Sequence, residues 1–485
     1  MKKLLFLLLG FGLAFSQWMS NERLFLDIGT AGAPCLSGSN AAYLTEANLP
    51  YAYAFTYRYD NGGGEFRLPF QPRIKSYHNM SVSAFRKMDN GMLFGGRFAY
   101  RYEERRDKLW LHNAEDHLQI PFYFADSSTG DFALNGIDWN VLLSYPLTPK
   151  LRAGVNVFYN VDEQYKSVFP KPNVKRNNFR IRPGLAVSGK NAHVGIRGTF
   201  FQYKENMETK KYSLEQGKTP TFMRIRGLDR PVMSYAETSE ERLESILGWG
   251  FSADADLGGI LLLEGQYERS NADIVDGGSY PVPQGNWGLQ RYYYRAELRM
   301  FGKRRAGAEF FFHQDGTHAR GFHPELGERI YAGDLRRYEG GVNIPYRHSA
   351  GEVWTGTVSW AAGERKREDN FLGILYYIPA STLHIGMRYT KHGAPVDFAF
   401  SLAYETTFAG PATTFGGDTA GYYDTVTAAE IAWYARDRRN IRAEGRIAFP
   451  AGRRRLELRA SWERVMPLYG GEDFHYAQTS LSWIF

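Results

Sequence analysis

Residues 290–301 read Gln-Arg-Tyr-Tyr-Tyr-Arg-Ala-Glu-Leu-Arg-Met-Phe, and they decide the fold. Tyr292, Tyr294, Ala296, Leu298 and Met300 take every second position. Arg291, Tyr293, Arg295, Glu297 and Arg299 take the positions between. Side chains alternate across a strand, so this stretch has one greasy face and one charged face. No helical period fits it.

The same split recurs along the chain. In 455–463, Leu456, Leu458, Ala460 and Trp462 oppose Arg455, Glu457, Arg459 and Glu463. In 441–449, Ile441, Ala443, Ile447 and Phe449 oppose Arg442, Glu444 and Arg446. In 137–145, Ile137, Trp139, Val141, Leu143 and Tyr145 oppose Asp138, Asn140 and Ser144. Counting such segments gives about 18 to 21, most of them roughly ten residues long, the length of a tilted strand crossing a bilayer. A large soluble sandwich or propeller also alternates. Aromatic residues at the ends of the apolar faces favour the membrane, because interfacial girdles require them. The last strand, 475–485, ends in Trp483 and Phe485, the pattern by which a barrel-assembly machinery recognises its clients. Unpaired backbone cannot face lipid, so the sheet must close. The expected fold is all-β: a transmembrane antiparallel β-barrel of about 18 strands, with 14 to 20 open, in contact with outer-membrane lipid.

Composition agrees once it is sorted by face. The 485 residues are 43% hydrophobic and 15% aromatic, with 51 glycines and one cysteine. So aromatic a chain is not disordered, and a single cysteine builds no disulfide scaffold. Past the leader, no apolar run nears the roughly 18 residues of a spanning helix. The mean hydropathy of −0.43 averages two unlike faces.

Lys2 and Lys3 precede the apolar run Leu4–Phe15, and Ala14-Phe15-Ser16 offers small residues for cleavage. Residues 1–16 therefore read as a signal peptide. Residues 17–75 form an N-terminal segment that alternates less well. It is expected as a periplasmic extension or small plug, with Tyr51, Tyr53, Phe55, Tyr57 and Tyr59 available as a first strand. Residues 76–485 are expected as the barrel proper.

Tight turns are expected at 87–90, 145–150, 188–191, 257–259, 301–303, 347–351, 391–395 and 436–440. Long connections are expected over 105–135, 162–176, 205–245, 271–289, 314–334 and 406–425. Strand parity then fails after residue 350. An extra hairpin, 371–378 and 383–391 across Pro379–Thr382, repairs it, but puts 406–425 on the periplasmic side.

No catalytic site stands out, and no cofactor, metal or enzymatic activity is expected. There is neither a Gly-x-Ser-x-Gly elbow nor a His-Glu-x-x-His helix. His112 and His117 bracket Glu115 and Asp116, but that spacing lies outside the usual zinc patterns. Asp126 to Asp131 misses the alternating oxygen ligands of a calcium loop. The inner-face charges carry more. Alternation turns Arg97, Arg101, Arg180, Arg182 and Arg197 inward, and so too Arg291, Arg295, Arg299 and Arg388. Near the C-terminus the set is Arg442, Arg446, Arg455 and Arg459. Acidic partners are Glu264, Glu297, Glu339, Glu444 and Glu457. Either these pair into a salt-bridge lattice that fills the lumen, or surplus arginine draws anionic solutes into a pore. The formal charge of +7 agrees with the second. Nucleic acid is no partner, because arginine is spread over strand faces rather than gathered in a patch.

The Ser16-Gln17 leader end, the 59–67 stretch Tyr-Asp-Asn-Gly-Gly-Gly-Glu-Phe-Arg, the tight turns and the terminal Phe485 resemble outer-membrane barrels of Bacteroidetes. Among these the chain is similar to an uncharacterised family, described only as a domain of unknown function with an outer-membrane barrel. That resemblance implies the fold and the bacterial outer membrane over nearly the whole mature chain. It assigns no functional residue. The Asn-Pro-Ala plug motif of fatty-acid transporters and the long plug domain of TonB-dependent receptors do not appear. Two functions are expected to compete. One is a pore or uptake channel for small solutes, anionic ones among them. The other is a lumen-plugged structural barrel working with an envelope complex.

Overall fold

A computed structural model describes residues 40–46, 51–112, 121–210, 222–228, 230–233, 239–301, 306–349, 351–391, 396–416, 426–451, 454–469 and 471–484. Residues 1–39, with the expected signal peptide 1–16, and Phe485 lie outside the described residues. A short 3-10 helix, Ala41–Glu46, precedes the wall. The wall opens with β1 (Tyr51–Gly64), β2 (Ile74–Lys87), β3 (Leu93–Leu111), β4 (Phe122–Pro146), β5 (Leu151–Lys166), β6 (Lys171–Ser188) and β7 (Ala192–Lys210). A hairpin of β8 (Phe222–Arg226) and β9 (Arg230–Met233) follows. The wall resumes with β10 (Ser239–Leu257), β11 (Leu261–Asp276), β12 (Val282–Phe301), β13 (Gly307–Phe322) and β14 (Arg329–Ser349). Next come β15 (Glu352–Asp369), β16 (Ile374–Lys391), β17 (Asp397–Ala409) and the short β18 (Thr413–Phe415). Helix α1 (Ala428–Tyr434) leads into β19 (Arg438–Ala451), β20 (Arg454–Pro467) and β21 (Phe474–Ile484).

Each wall strand pairs antiparallel with the next, and β21 closes on β1, with Phe55 opposite Trp483. The result is a closed antiparallel barrel of eighteen strands. Closure satisfies every ladder, the condition for a sheet in lipid. Trp483 lies between Phe55 and Leu456 on the two neighbouring strands, so the last strand is the seam of the barrel.

Parity holds throughout, and two expectations are corrected. The extra hairpin across Pro379–Thr382 does not exist. Residues 374–391 form one strand, with Pro379 opposite Glu364. Proline is tolerated there because the ladder on its other side changes partner. β17 pairs with 380–391, whereas β18 pairs with 375–377. The turn expected at 436–440 is instead the entry to β19, and the tight connection lies between Ala451 and Arg454. With both changes, the 410–437 connection joins 211–238 at the long-loop end. Short turns and both ends of the wall gather at the other.

The outer face shows how deep the barrel sits. Outward residues of β7 from the short-turn end are Val194, Ile196 and Phe200, all exposed. Gln202, Lys204, Asn206 and Glu208 follow on the same face. In β6, exposed Val187, Leu185 and Phe179 give way to Asn177 and Lys175. An apolar belt thus girdles the short-turn half, and the strands stand above it at the long-loop end. β4 is 25 residues long, far more than a lipid crossing needs. Much of the expected 105–135 loop is strand, because the hydrogen-bonded ladder outlasts the apolar face. Phe251 is outward within the belt, paired with Gly198. Phe251→Arg should cost about 2–4 kcal/mol in urea titrations from lipid vesicles, whereas Glu208→Arg, above the belt, should cost about 0–1 kcal/mol.

Candidate functional site

The sequence-predicted charges sit on the face opposite the apolar belt, but they do not converge on one point. Asp162 accepts from Arg101 Nε at 2.9 Å and from Arg176 Nε at 2.7 Å. Glu297 accepts from Arg295 Nε at 2.6 Å and lies 3.1 Å from Arg299, which also donates to Glu309 at 2.8 Å. Glu457, fully buried, is shared by Arg446 at 3.0 Å and Arg459 at 2.7 Å, while Arg455 reaches Asp397 at 3.0 Å. Arg337 pairs with Glu339 at 2.9 Å, and Arg180 stands 4.0 Å from Glu268. Arg197 donates to Ser252, and Arg97 to Asn79. Arg182 lies opposite Asn156, and Glu264 lies opposite both Asp254 and Arg295. Arg291, Arg388 and Arg442 remain exposed, and Glu444 is half-buried. The interior is therefore a paired lattice with water-accessible arginines left among the pairs.

The long-loop end of the interior holds an apolar core that the alternation did not reveal. Phe122, Ile274, Trp287, Leu289, Tyr331, Tyr376 and Ile431 are buried in one cluster, drawn from β4, β11, β12, β14, β16 and α1. A second cluster gathers Leu68, Phe70, Leu111, Tyr123, Ile225 and Val426. Residues 122–126 of β4 pair with 222–226 of β8, so this short sheet belongs to the same cap. Helix α1 is latched by charge. Glu430 accepts from Arg367 at 3.1 Å, Arg365 lies 3.7 Å over the Tyr434 ring, and Arg438 lies 4.6 Å over Trp433. Burial in the cap raises the Tyr434 hydroxyl above its ordinary value. Thr427 Oγ1 donates to the Leu228 carbonyl, which ties α1 to the β8–β9 hairpin.

The N-terminal turn is seated at the short-turn end. Residues Asn40–Leu44 are buried against β4, β5 and β6. Asn40 Nδ2 donates to the carbonyls of Leu185 and Ile196, Tyr43 OH to Asp254 at 2.6 Å, and Ser144 Oγ to the Ala42 carbonyl. Three inward glycines make the room. A Cβ on Gly154 would stand 2.5 Å from the Ala41 carbonyl carbon, and one on Gly195 would stand 2.5 Å from Tyr43 OH. A Cβ on Gly184 would collide with Asn40. Of the segment 17–75, expected as a periplasmic extension or small plug, the described part Asn40–Leu44 sits against the inner side of the wall. Tyr51–Gly64 of the same segment is the first wall strand.

His112 and Asp126, weighed in the sequence as weak metal ligands, instead bond to each other at 2.5 Å. Lys166 donates to Asp126 at 3.1 and 2.9 Å, to Ser128 Oγ at 2.9 Å and to the Ser128 carbonyl at 3.0 Å. An ammonium thus holds the place a cation would take. His117, Glu115 and Asp116 lie outside the described residues. The cluster shows no motif in sequence because Lys166, on the neighbouring strand β5, stands 40 residues along the chain from Asp126. His112, Asp126 and Lys166 are 0–1% exposed, so the set is structural in placement.

No curated protein matches this sequence. Solved outer-membrane structures resemble the fold at low identity. BauA, the ferric preacinetobactin receptor from Acinetobacter baumannii, is 10% identical over 90% of this chain and 80% of that chain, with a TM-score of 0.39. The copper transporter OprC is 8% identical over 85% of this chain and 61% of its own, with a TM-score of 0.43. The P. putida toluene transporter TodX is 9% identical over 92% of each, with a TM-score of 0.29. The sequence match is to a family: over residues 41–485 the chain belongs to the family of unknown function DUF6850.

Proposed function

We propose that this protein is an outer-membrane barrel for uptake of small solutes, with a preference for anions. It is exported by the leader 1–16 and inserted through its C-terminal strand. The observation that carries this reading is the run of exposed arginines, Arg291, Arg388 and Arg442, on an interior face between a seated turn and a packed cap. Unpaired cation in a low-dielectric enclosure focuses field and concentrates anions. The cap makes passage gated rather than free. Reconstitution in planar bilayers tests it. The whole chain should conduct weakly, and replacing 410–437 by a short turn should raise conductance and make it anion-selective. Absence of conductance and of solute flux in both forms would sink the reading. The apolar core across the interior favours a second reading, a plugged structural barrel serving an envelope complex. A stoichiometric partner retained in mild detergent, together with a non-conducting cap deletion, would support that one.

A further inference from the structure

We infer that the interior wall formed by β1–β4 and β19–β21 carries a binding site for a compact oxyanion. This rests on the uptake reading and names its substrate class. The site is a cavity of about 450 Å³. Four guanidinium groups border it: Arg58, Arg97, Arg442 and Arg459. Two carboxylates do so, Asp138 and Glu444. The remaining lining is almost wholly polar, including Thr56, Asn79, Ser461, Gln478 and Ser480.

Two of the arginines are already matched. Arg58 donates to Asp60 at 2.8 Å, and Arg459 to Glu457 at 2.7 Å. Asp138 is engaged as well, 3.7 Å from Arg101 and accepting from Asn160 at 2.7 Å. Arg97 is different. Its side-chain bond goes to the neutral Asn79 at 3.4 Å, and its Nε is buried without a hydrogen-bond partner. Arg442 is exposed to the cavity side of β19. Thr56 is 5% exposed, and its Oγ1 also has no partner.

A buried donor left unmade costs free energy, so native interiors fill such positions. Here Arg97, only partly buried as a whole, and exposed Arg442 border one polar cavity, and neither bonds a carboxylate among the described residues. Guanidinium forks match carboxylate and phosphate oxygens two at a time, and hydroxyl and amide donors complete an oxyanion's shell. An apolar solute would leave these groups unpaired, and a cation would meet surplus positive charge. The fitting ligand is a small carboxylate or phosphate, and Glu444 and Gln478 are placed to accept from hydroxyls it bears.

Binding is measured apart from transport, by calorimetry on the detergent-solubilised whole chain. The probes are inorganic phosphate, succinate and, as the neutral control, glucose. One saturable site is expected for phosphate or succinate and none for glucose, and whichever anion binds identifies the headgroup. Arg97→Gln and Arg442→Gln should each weaken binding about tenfold or more. Arg97→Lys keeps the charge but loses the fork, so it should weaken binding by a smaller factor. Arg329→Gln, at the exposed start of β14 away from the cavity, should leave affinity unchanged. An unchanged urea midpoint shows that each variant folds. Saturable binding without flux would overturn the uptake reading and keep the site. No saturable anion binding, or equal losses from Arg97→Gln and Arg329→Gln, would overturn the site even where flux is seen.

Discussion

A leucine at position 154 is expected to expel the Asn40–Leu44 turn from the barrel interior while the wall stands. A Cβ there already meets the backbone of Ala41 and Ala42. Rotating a side chain cannot relieve a contact with backbone, so the turn itself must leave. The strand has no comparable conflict. Gly154 pairs with Ser144 and Gly184 in an unbroken ladder and has no positive φ. What is lost is the seat: the bonds from Asn40, Tyr43 and Ser144, each worth about 1 kcal/mol, and the burial of Tyr43 and Leu44, worth about 1.5–3 kcal/mol apiece before ordering entropy is subtracted. The net should be a local opening free energy of roughly 3 kcal/mol, a protection of about a hundredfold. The measurement uses Leu44→Cys in a Cys35→Ser background and an impermeant maleimide. With glycine at 154 labelling should be slow, and with leucine it should approach the rate of an unstructured peptide. The same variant should conduct more in bilayers, because the turn lies inside the wall. Equal labelling rates in both backgrounds would show that the turn is not held by its glycine seat.

How much of this was legible in the sequence follows from where water and lipid are. Around Trp139, Tyr294 and Leu458 the outer face is exposed and apolar and the inner face polar, so chemistry alternates and the strands can be read residue by residue. Above the belt both faces meet polar surroundings. Asn177, Lys175, Lys204 and Glu208 continue their strands with no alternation to betray them. That is why 105–135 and 205–245 read as loops although much of each is ladder. Pro379 misled for a related reason: proline marks a break in one ladder, and at a wall strand the other ladder runs on past it. Inward direction was readable for Arg97, Arg295 and Arg459, because it depends only on parity. Their partners were not. Asp162 meets Arg101 across two strands, and Arg367 meets Glu430 from a helix far along the chain. The cap was hidden for the same reason. Phe122, Phe124 and Ile225 fall in stretches expected as long loops, and only the folded chain gathers them into buried apolar clusters.

The buried ammonium of Lys166 gives the sharpest test of that cap. Asp126→Asn should loosen 122–126 and 222–226 far more than it disturbs the wall. Lys166 reaches both Asp126 oxygens, and its remaining acceptors are the two oxygens of Ser128. The amide of asparagine offers one oxygen and no charge. A desolvated cation would be left without its carboxylate, a penalty of about 3–5 kcal/mol. Asp126 lies at the end of the short ladder with β8, opposite Phe222, so the penalty falls on that ladder. The β4–β5 pairing starts at Phe132 opposite Lys166 and runs on to Pro146 opposite Arg152, so all but its first pairs lie away from the charge and should hold. Hydrogen exchange resolves the two, since local opening and global unfolding report on different amides. Protection in 222–226 should drop by about two orders of magnitude or more, with little change in 132–146. Adding Lys166→Met removes the stranded charge, with its contact 5.6 Å over the Phe132 ring, and keeps an unbranched apolar side chain of similar length, so most of the protection should return. Recovery in the double variant is what separates a charge argument from a packing one. If Asp126→Asn alone and Asp126→Asn with Lys166→Met lose the same protection, shape rather than neutralisation holds β8 to β4.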